Sequence, residues 1–191
     1  MKKILILLIT ICGLSSYAQT IISLEEAMEF RKNNIAYPES VTYIKDVNGT
    51  LNKYLGRWKG SFGSKNYEFF ITKYEEEIEF DSFKIDELLV RCLITDTNGT
   101  IIEDNRTISL DNVSIISLGL DNNPGVYRLF YAGKDSTCGN KANIYISINI
   151  QDANKMNFYT IPSHILMSDE ECPNGYIAPI FPKDNLSLVK Q

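Results

Sequence analysis

The sequence predicts a mainly β fold: an antiparallel up-and-down β-barrel with one N-terminal helix. Three observations predict it. From Arg57 onward, short runs rich in Ile, Val, Tyr and Phe are bounded by Gly, Asn and Asp. Within 142–151, Ile144, Ile146, Ile148 and Ile150 fall on one face, while Asn143, Tyr145, Ser147, Asn149 and Gln151 fall on the other. That alternation describes a sheet with one dry and one wet side. Only one stretch of any length, beginning at Ser23, carries helical spacing. Sequential strands with short links favour a meander that closes on itself and so leaves no open edge. A two-sheet sandwich is the alternative, since strand number does not separate the two.

The elements follow in order. Residues 1–18 have the layout of a signal peptide: Lys2 and Lys3, the apolar run Ile4 to Ile11, then small residues at Ser16 and Ala18. Cleavage after Ala18 is expected, which places the mature chain in the periplasm or outside the cell. The apolar run is far shorter than the ~20 residues a bilayer-spanning helix needs, and no later run is longer. Residues 19–50 are read as a helix and linker. Ser23 and Glu26 form a capping-box pair, Leu24, Ala27, Met28 and Arg31 share a face, and Pro38 stops any continuation. Residues 51–191 form the barrel domain. One helical turn is expected at 51–55, then strands near 57–62, 66–75, 86–95, 100–108, 113–120, 125–132, 142–151, 155–161 and 185–189. Asn98-Gly99 marks a hairpin, expected as a type I′ turn. The two D-x-N-G-T strings, at Asp46 to Thr50 and Asp96 to Thr100, read as recurring turn chemistry.

Charge limits the partners. The chain holds 19 Lys and Arg against 24 Asp and Glu, a formal charge of −5. Loss of Lys2 and Lys3 with the signal takes this to −7. An acidic chain without a basic cluster has no electrostatic footprint for nucleic acid or an anionic membrane. Removal of Cys12 leaves Cys92, Cys138 and Cys172. An odd count in an oxidising compartment implies one disulfide and one free thiol. Cys138 and Cys172 lie in polar, turn-rich segments and are expected to pair, whereas Cys92 lies in the apolar run LLVRCLI and reads as a buried small side chain.

The segment LNKYLGRWKG, Leu51 to Gly60, is the most informative in the chain. Gly56 permits a tight bend into a strand, and Trp58, the only tryptophan, can plug the closed end of a barrel. This resembles the G-x-W signature at the barrel entrance of the calycins, the lipocalins and fatty-acid-binding proteins. The resemblance implies a ligand-binding barrel. The chain departs from it in lacking a late T-D-Y motif and in placing Lys190 where that pattern sets an arginine over the tryptophan. The layout also resembles a group of exported Gram-negative proteins of unknown function with an S-L-E-E-A helix, a K-D-x-N turn and an L-G-x-W-K-G entrance.

No catalytic residue is assigned. His164 is the single histidine, which excludes a His-rich metal site, and no G-x-S-x-G elbow or P-loop occurs. Glu75, Glu76, Glu77, Glu79 and Asp81 match no calcium-loop spacing and read as a solvated hairpin face, as does Asp169-Glu170-Glu171. A carboxylate pair assembled in space leaves no local signature and stays open. Asp135-Ser136-Thr137 reads as a turn before Cys138. No cofactor and no metal are expected. The expected lumen residues are Trp58, Tyr67, Phe69, Ile71, Val90, Cys92, Phe130, Ile146, Ile148 and Phe158. Such a lining suits a small apolar or lipid-like ligand. It equally suits a filled core on an envelope or secreted scaffold that binds a protein partner.

Overall fold

The computed structural model describes residues 20–78, 83–163, 168 and 170–191. Residues 1–18, expected to be a signal peptide, and His164, Glu79, Asp81 and Asp169 therefore lie outside the described residues. The fold is mainly β, a curled sheet that forms a half-barrel. Its strands are β1 (Thr20–Ser23), β2 (Val41–Lys45), β3 (Gly56–Phe62), β4 (Lys65–Ile78), β5 (Phe83–Asp96), β6 (Ile101–Asp104), β7 (Ile115–Leu120), β8 (Val126–Ala132), β9 (Lys141–Ile148), β10 (Lys155–Pro162) and β11 (Leu186–Lys190). Among the described residues one α-helix, α1, spans Leu24–Lys32 between β1 and β2. The order across the sheet is β1-β2-β5-β4-β3-β11-β10-β9-β8-β7, with β6 also on β5.

β3 to β6 and β7 to β11 form two antiparallel runs joined by β11 on β3. Among the described residues β6 does not pair with β7, so the expected continuous meander is broken there, and the sheet as a whole is mixed. β1 pairs with β2 in parallel, and β2 pairs in parallel with β5. The reason lies in β5, which is longer than its neighbours can cover. One edge is fully taken by β4, from Lys84 opposite Glu77 to Asp96 opposite Lys65. Its other edge is shared: β2 takes Lys84 and Ile85, and β6 takes Leu93 to Thr95. Exposed strand groups need partners, so the N-terminal segment supplies a strand there. The helix thus sits within a β-α-β crossover and not ahead of the sheet.

α1 forms where the capping residues place it. Ser23 Oγ accepts from the Glu26 backbone N–H at 3.0 Å. Glu25 and Glu26 occupy the first turn and Arg31 and Lys32 the last, each sign complementing the helix dipole. Leu24 and Ala27 are buried against the sheet. Asp46 ends β2, and its carboxylate Oδ2 accepts from the Leu51 N–H at 3.3 Å and from Lys73 Nζ at 3.5 Å. Asp96 does the matching work in the second D-x-N-G-T string, accepting from Asn98 and Thr100 N–H, both at 2.8 Å.

That second turn is not type I′. Among the described non-glycine residues only Asn34 and Asp135 have positive φ, so Asn98 is not left-handed, while Gly99 is at φ 86°. Gly99 N–H bonds the Asp96 carbonyl at 3.1 Å and Asp96 N–H bonds the Thr100 carbonyl at 2.9 Å. This is the three-residue loop with a glycine bulge, chosen because the Asp96 carboxylate caps the turn from within. A second correction concerns Ile150. The β9 alternation stops at Ile148, and Ile150 is 99% exposed in the turn that leads to β10.

Candidate functional site

Inward positions of β3, β4, β5, β8, β9, β10 and β11 converge on one apolar interior. Trp58, Phe69, Val90, Cys92 and Ile146 are fully buried, and Tyr67, Ile71 and Phe158 nearly so. Ile148 shares their face but is only half-buried at the end of β9. Phe130 does not join them. Along β8 the buried positions are Tyr127, Leu129 and Tyr131, so Phe130 turns outward. Both faces of VYRLFYA are rich in large side chains, and periodicity gave no means to choose between the two registers. The tyrosine hydroxyls decide it. Tyr131 OH donates to Glu103 Oε2 at 2.8 Å, and Tyr127 OH accepts from the Leu88 N–H at 3.3 Å, so each inward ring carries its polar tip to a partner.

One end of the interior is closed by the chain's own framework. Gly56 adopts φ 121° and turns the chain into β3. Trp58 Nε1 donates to the Tyr54 carbonyl at 2.7 Å, and Tyr54 OH donates to the Gly125 carbonyl at 2.8 Å. Tyr54, on the short 3₁₀ turn of Asn52–Tyr54, and Leu51, which caps that turn, are fully buried beneath. Lys190 of β11 lies opposite Trp58 and holds its ammonium 5.2 Å from the indole centroid. Lysine thus makes the cation–π contact over the tryptophan.

The other end is closed differently. Residues 173–185 contain no helix or strand, yet Phe181 from this stretch is buried inside the mouth. Its ring meets Tyr131 edge-on at 4.8 Å and lies 5.2 Å from Phe158, 6.0 Å from Phe69 and 6.1 Å from Tyr67. The Ile180 carbonyl accepts from Lys65 Nζ at 3.2 Å and from Tyr67 OH at 3.1 Å. Burial pushes the Tyr67 hydroxyl up to about 12, so it stays protonated and donating. The stretch is tethered upstream by the Cys138–Cys172 disulfide, with Cα atoms 5.5 Å apart, and by the Ile177 N–H bonded to the Cys138 carbonyl at 2.8 Å. Cys92 is the free, buried thiol, and burial raises its pKa. Phe181 was not legible as an interior residue, because the FPK context has neither alternation nor helical spacing.

The wall has one seam. Among the described residues no ladder joins β5 to β7, and side chains bridge the gap. Asn105 Oδ1 accepts from the Cys92 N–H of β5, Asn105 N–H returns a bond to the Cys92 carbonyl, and Asn105 Nδ2 donates to Ser114 Oγ, just before β7, at 2.9 Å. Arg31 of α1 donates to the Leu118 and Leu120 carbonyls, each at 3.3 Å, covering the edge of β7. Glu87 is buried in this seam, facing Glu76 and Tyr74 of β4, Ser117 of β7, Tyr127 of β8 and Arg31. Burial first, and the hydrogen-bonded Glu76 carboxylate second, push the Glu87 carboxyl up to about 7.

A carboxyl whose pKa is raised on folding contributes stability that is full below its ordinary pKa near 4.5. That contribution is lost as pH rises through about 7. Wild-type unfolding free energy, from urea titrations at pH 5 and pH 8, should fall by on the order of 3 kcal/mol more than that of Glu87→Gln. Equal pH slopes in the two proteins would refute a proton held at this seam.

Cavities lie elsewhere on the described residues. One of about 700 Å³ lies beyond the end of α1, against Arg31, Ile35, Tyr37, Val41 and Phe83. One of about 530 Å³ lies on the outer wall over Lys59, Glu68, Leu93 and Thr95. One of about 390 Å³ flanks the seam at Tyr74, Glu76, Leu88, Leu110 and Ser117. None of these is lined by Trp58, Phe69 or Phe158. Glu75, in the acidic hairpin, pairs with Lys84 at 2.7 Å. Among the described residues no group of three acidic, His or Cys side chains is placed to hold a metal ion, and no helix is long and apolar enough to cross a membrane.

The chain belongs to a family of unknown function (DUF6705), whose model matches residues 1–171. No curated protein and no solved structure matches it.

Proposed function

We propose that this member of the family is an exported, non-catalytic binding protein that takes a small apolar or amphipathic molecule into the mouth of its barrel. The observation that carries this reading is the difference between the two ends. At the Trp58 end every closing residue belongs to a strand or to the turn that starts one. At the mouth the interior is stopped by one phenylalanine on an irregular stretch, anchored at Ile180 and tethered by a disulfide. A ligand gains access by displacing Phe181, and the cup left behind is lined by the rings of Tyr67, Phe69, Tyr131 and Phe158.

Export is supported by the sequence of residues 1–18 and by the disulfide, a bond suited to oxidising compartments. The calycin resemblance is supported by the Gly56 bend, the Trp58 plug and the Lys190 contact. The non-catalytic reading rests on the single histidine and the missing nucleophile motifs.

A second reading has its own observation. Ile101, Ile102, Ile108, Leu110 and Ile116 are exposed along β6, β7 and their connection, which favours a scaffold that meets a protein partner there. Native mass spectrometry of the chain purified from its own host separates the two. The first reading predicts an added small-molecule mass that Phe181→Trp, which overfills the mouth, removes. A clean apo mass, together with a crosslinked partner lost on Ile108→Asp/Leu110→Asp, would replace it with the second.

A further inference from the structure

We propose that Ile180-Phe181 is an internal stand-in for the ligand, and that the ligand is an arylalkyl carboxylate of matching length. The inference rests on the barrel-mouth reading above and goes on to name the chemical class. Two donors, Lys65 Nζ at 3.2 Å and Tyr67 OH at 3.1 Å, converge on one carbonyl oxygen. A peptide carbonyl is neutral. An ionised oxygen at the same point would accept two charge-assisted bonds, roughly twice as strong as neutral ones. The acidic neighbour on the facing strand is Asp96, opposite Lys65, and its carboxylate is occupied by the Asn98 and Thr100 N–H groups. Lys65 is therefore the cation at this rim that an anion can use.

Length follows from covalent geometry. From the Ile180 carbonyl carbon the chain passes through N, Cα and Cβ of Phe181 before it reaches the ring. In 4-phenylbutyrate the carboxylate carbon passes through three methylenes before the ring. Superposed on the dipeptide, its carboxylate meets Lys65 and Tyr67 while its phenyl enters the cup of Tyr67, Phe69, Tyr131 and Phe158. The edge-on Tyr131 contact at 4.8 Å and the tilted Phe158 contact at 5.2 Å are aromatic pairings, which favour a ring over an alkyl chain of equal volume.

Isothermal titration of the oxidised mature protein with 4-phenylbutyrate and with uncharged 4-phenylbutanamide tests the assignment. Phe181→Ala empties the cup and is expected to bind the acid at least tenfold more tightly than wild type does. It should also prefer the acid to the amide by at least tenfold. Adding Lys65→Met should erase that preference while both compounds still bind. Equal affinity for acid and amide in Phe181→Ala would reduce the site to an apolar hole and overturn the carboxylate assignment. If Phe181→Ala does not fold, wild type decides: millimolar 4-phenylbutyrate, but not the amide, should speed hydrogen exchange in the 176–185 peptide. No change with either compound overturns the assignment. Exchange of 176–185 that occurs only with global unfolding would remove the displaceable mouth itself, a failure distinct from that of the ligand class.

Discussion

Trp58→Ala is expected to lower the unfolding free energy by about 3–5 kcal/mol, the cost of truncating a fully buried aromatic side chain. The indole fills the closed end, and its loss does more than leave a void. The Tyr54 carbonyl loses its 2.7 Å donor and Lys190 loses the ring beneath its ammonium. Trp58→Phe keeps most of the volume but not the N–H, so it should fall between alanine and wild type. Urea denaturation of the oxidised protein measures both. A loss below about 1 kcal/mol for Trp58→Ala would mean that the closed end contributes little to the fold.

Replacing both Cys138 and Cys172 with serine is the second large effect, with an expected loss of about 2–4 kcal/mol. The two cysteines are 34 residues apart in sequence, so the bond restricts a long loop in the unfolded chain. The effect should also be local. Cys138 lies on the turn after β8 and holds the Ile177 N–H, so freeing Cys172 loosens the stretch that carries Phe181. The double variant should therefore bind an apolar dye such as 8-anilinonaphthalene sulfonate more strongly than wild type while still folded. Unchanged stability and unchanged dye binding would leave the disulfide without a role at the mouth.

Much of this architecture was legible in the residues, for identifiable reasons. The nine expected barrel strands all occur, because each combines apolar alternation with turn residues at its ends. Ser23 capped its helix as read, and the Cys138–Cys172 pairing followed from local polarity and the odd count. The misses share a cause: each depends on what a distant part of the chain does. β1 and β2 are too short to declare themselves and exist because β5 leaves an edge unpaired. Phe130 and Tyr131 are neighbouring large aromatics, and the partners of the Tyr131 and Tyr127 hydroxyls lie on distant strands. Phe181 lies in a stretch without period, and its burial is decided by four rings on three different strands, β4, β8 and β10. The Glu87 seam is likewise invisible locally, since the gap between β5 and β7 is a property of how the whole sheet curls.

Native-state hydrogen exchange, read by mass spectrometry, tests the central claim of one fixed and one displaceable end most directly. The comparison is between a peptide covering 176–185 and one covering 65–71 of β4, which is laddered on both sides. The account predicts that 176–185 exchanges through an opening at least ~2 kcal/mol easier than that of 65–71, while 65–71 opens only with the whole domain. Exchange of both peptides at the same global free energy would contradict it, leaving a sealed core with no mouth.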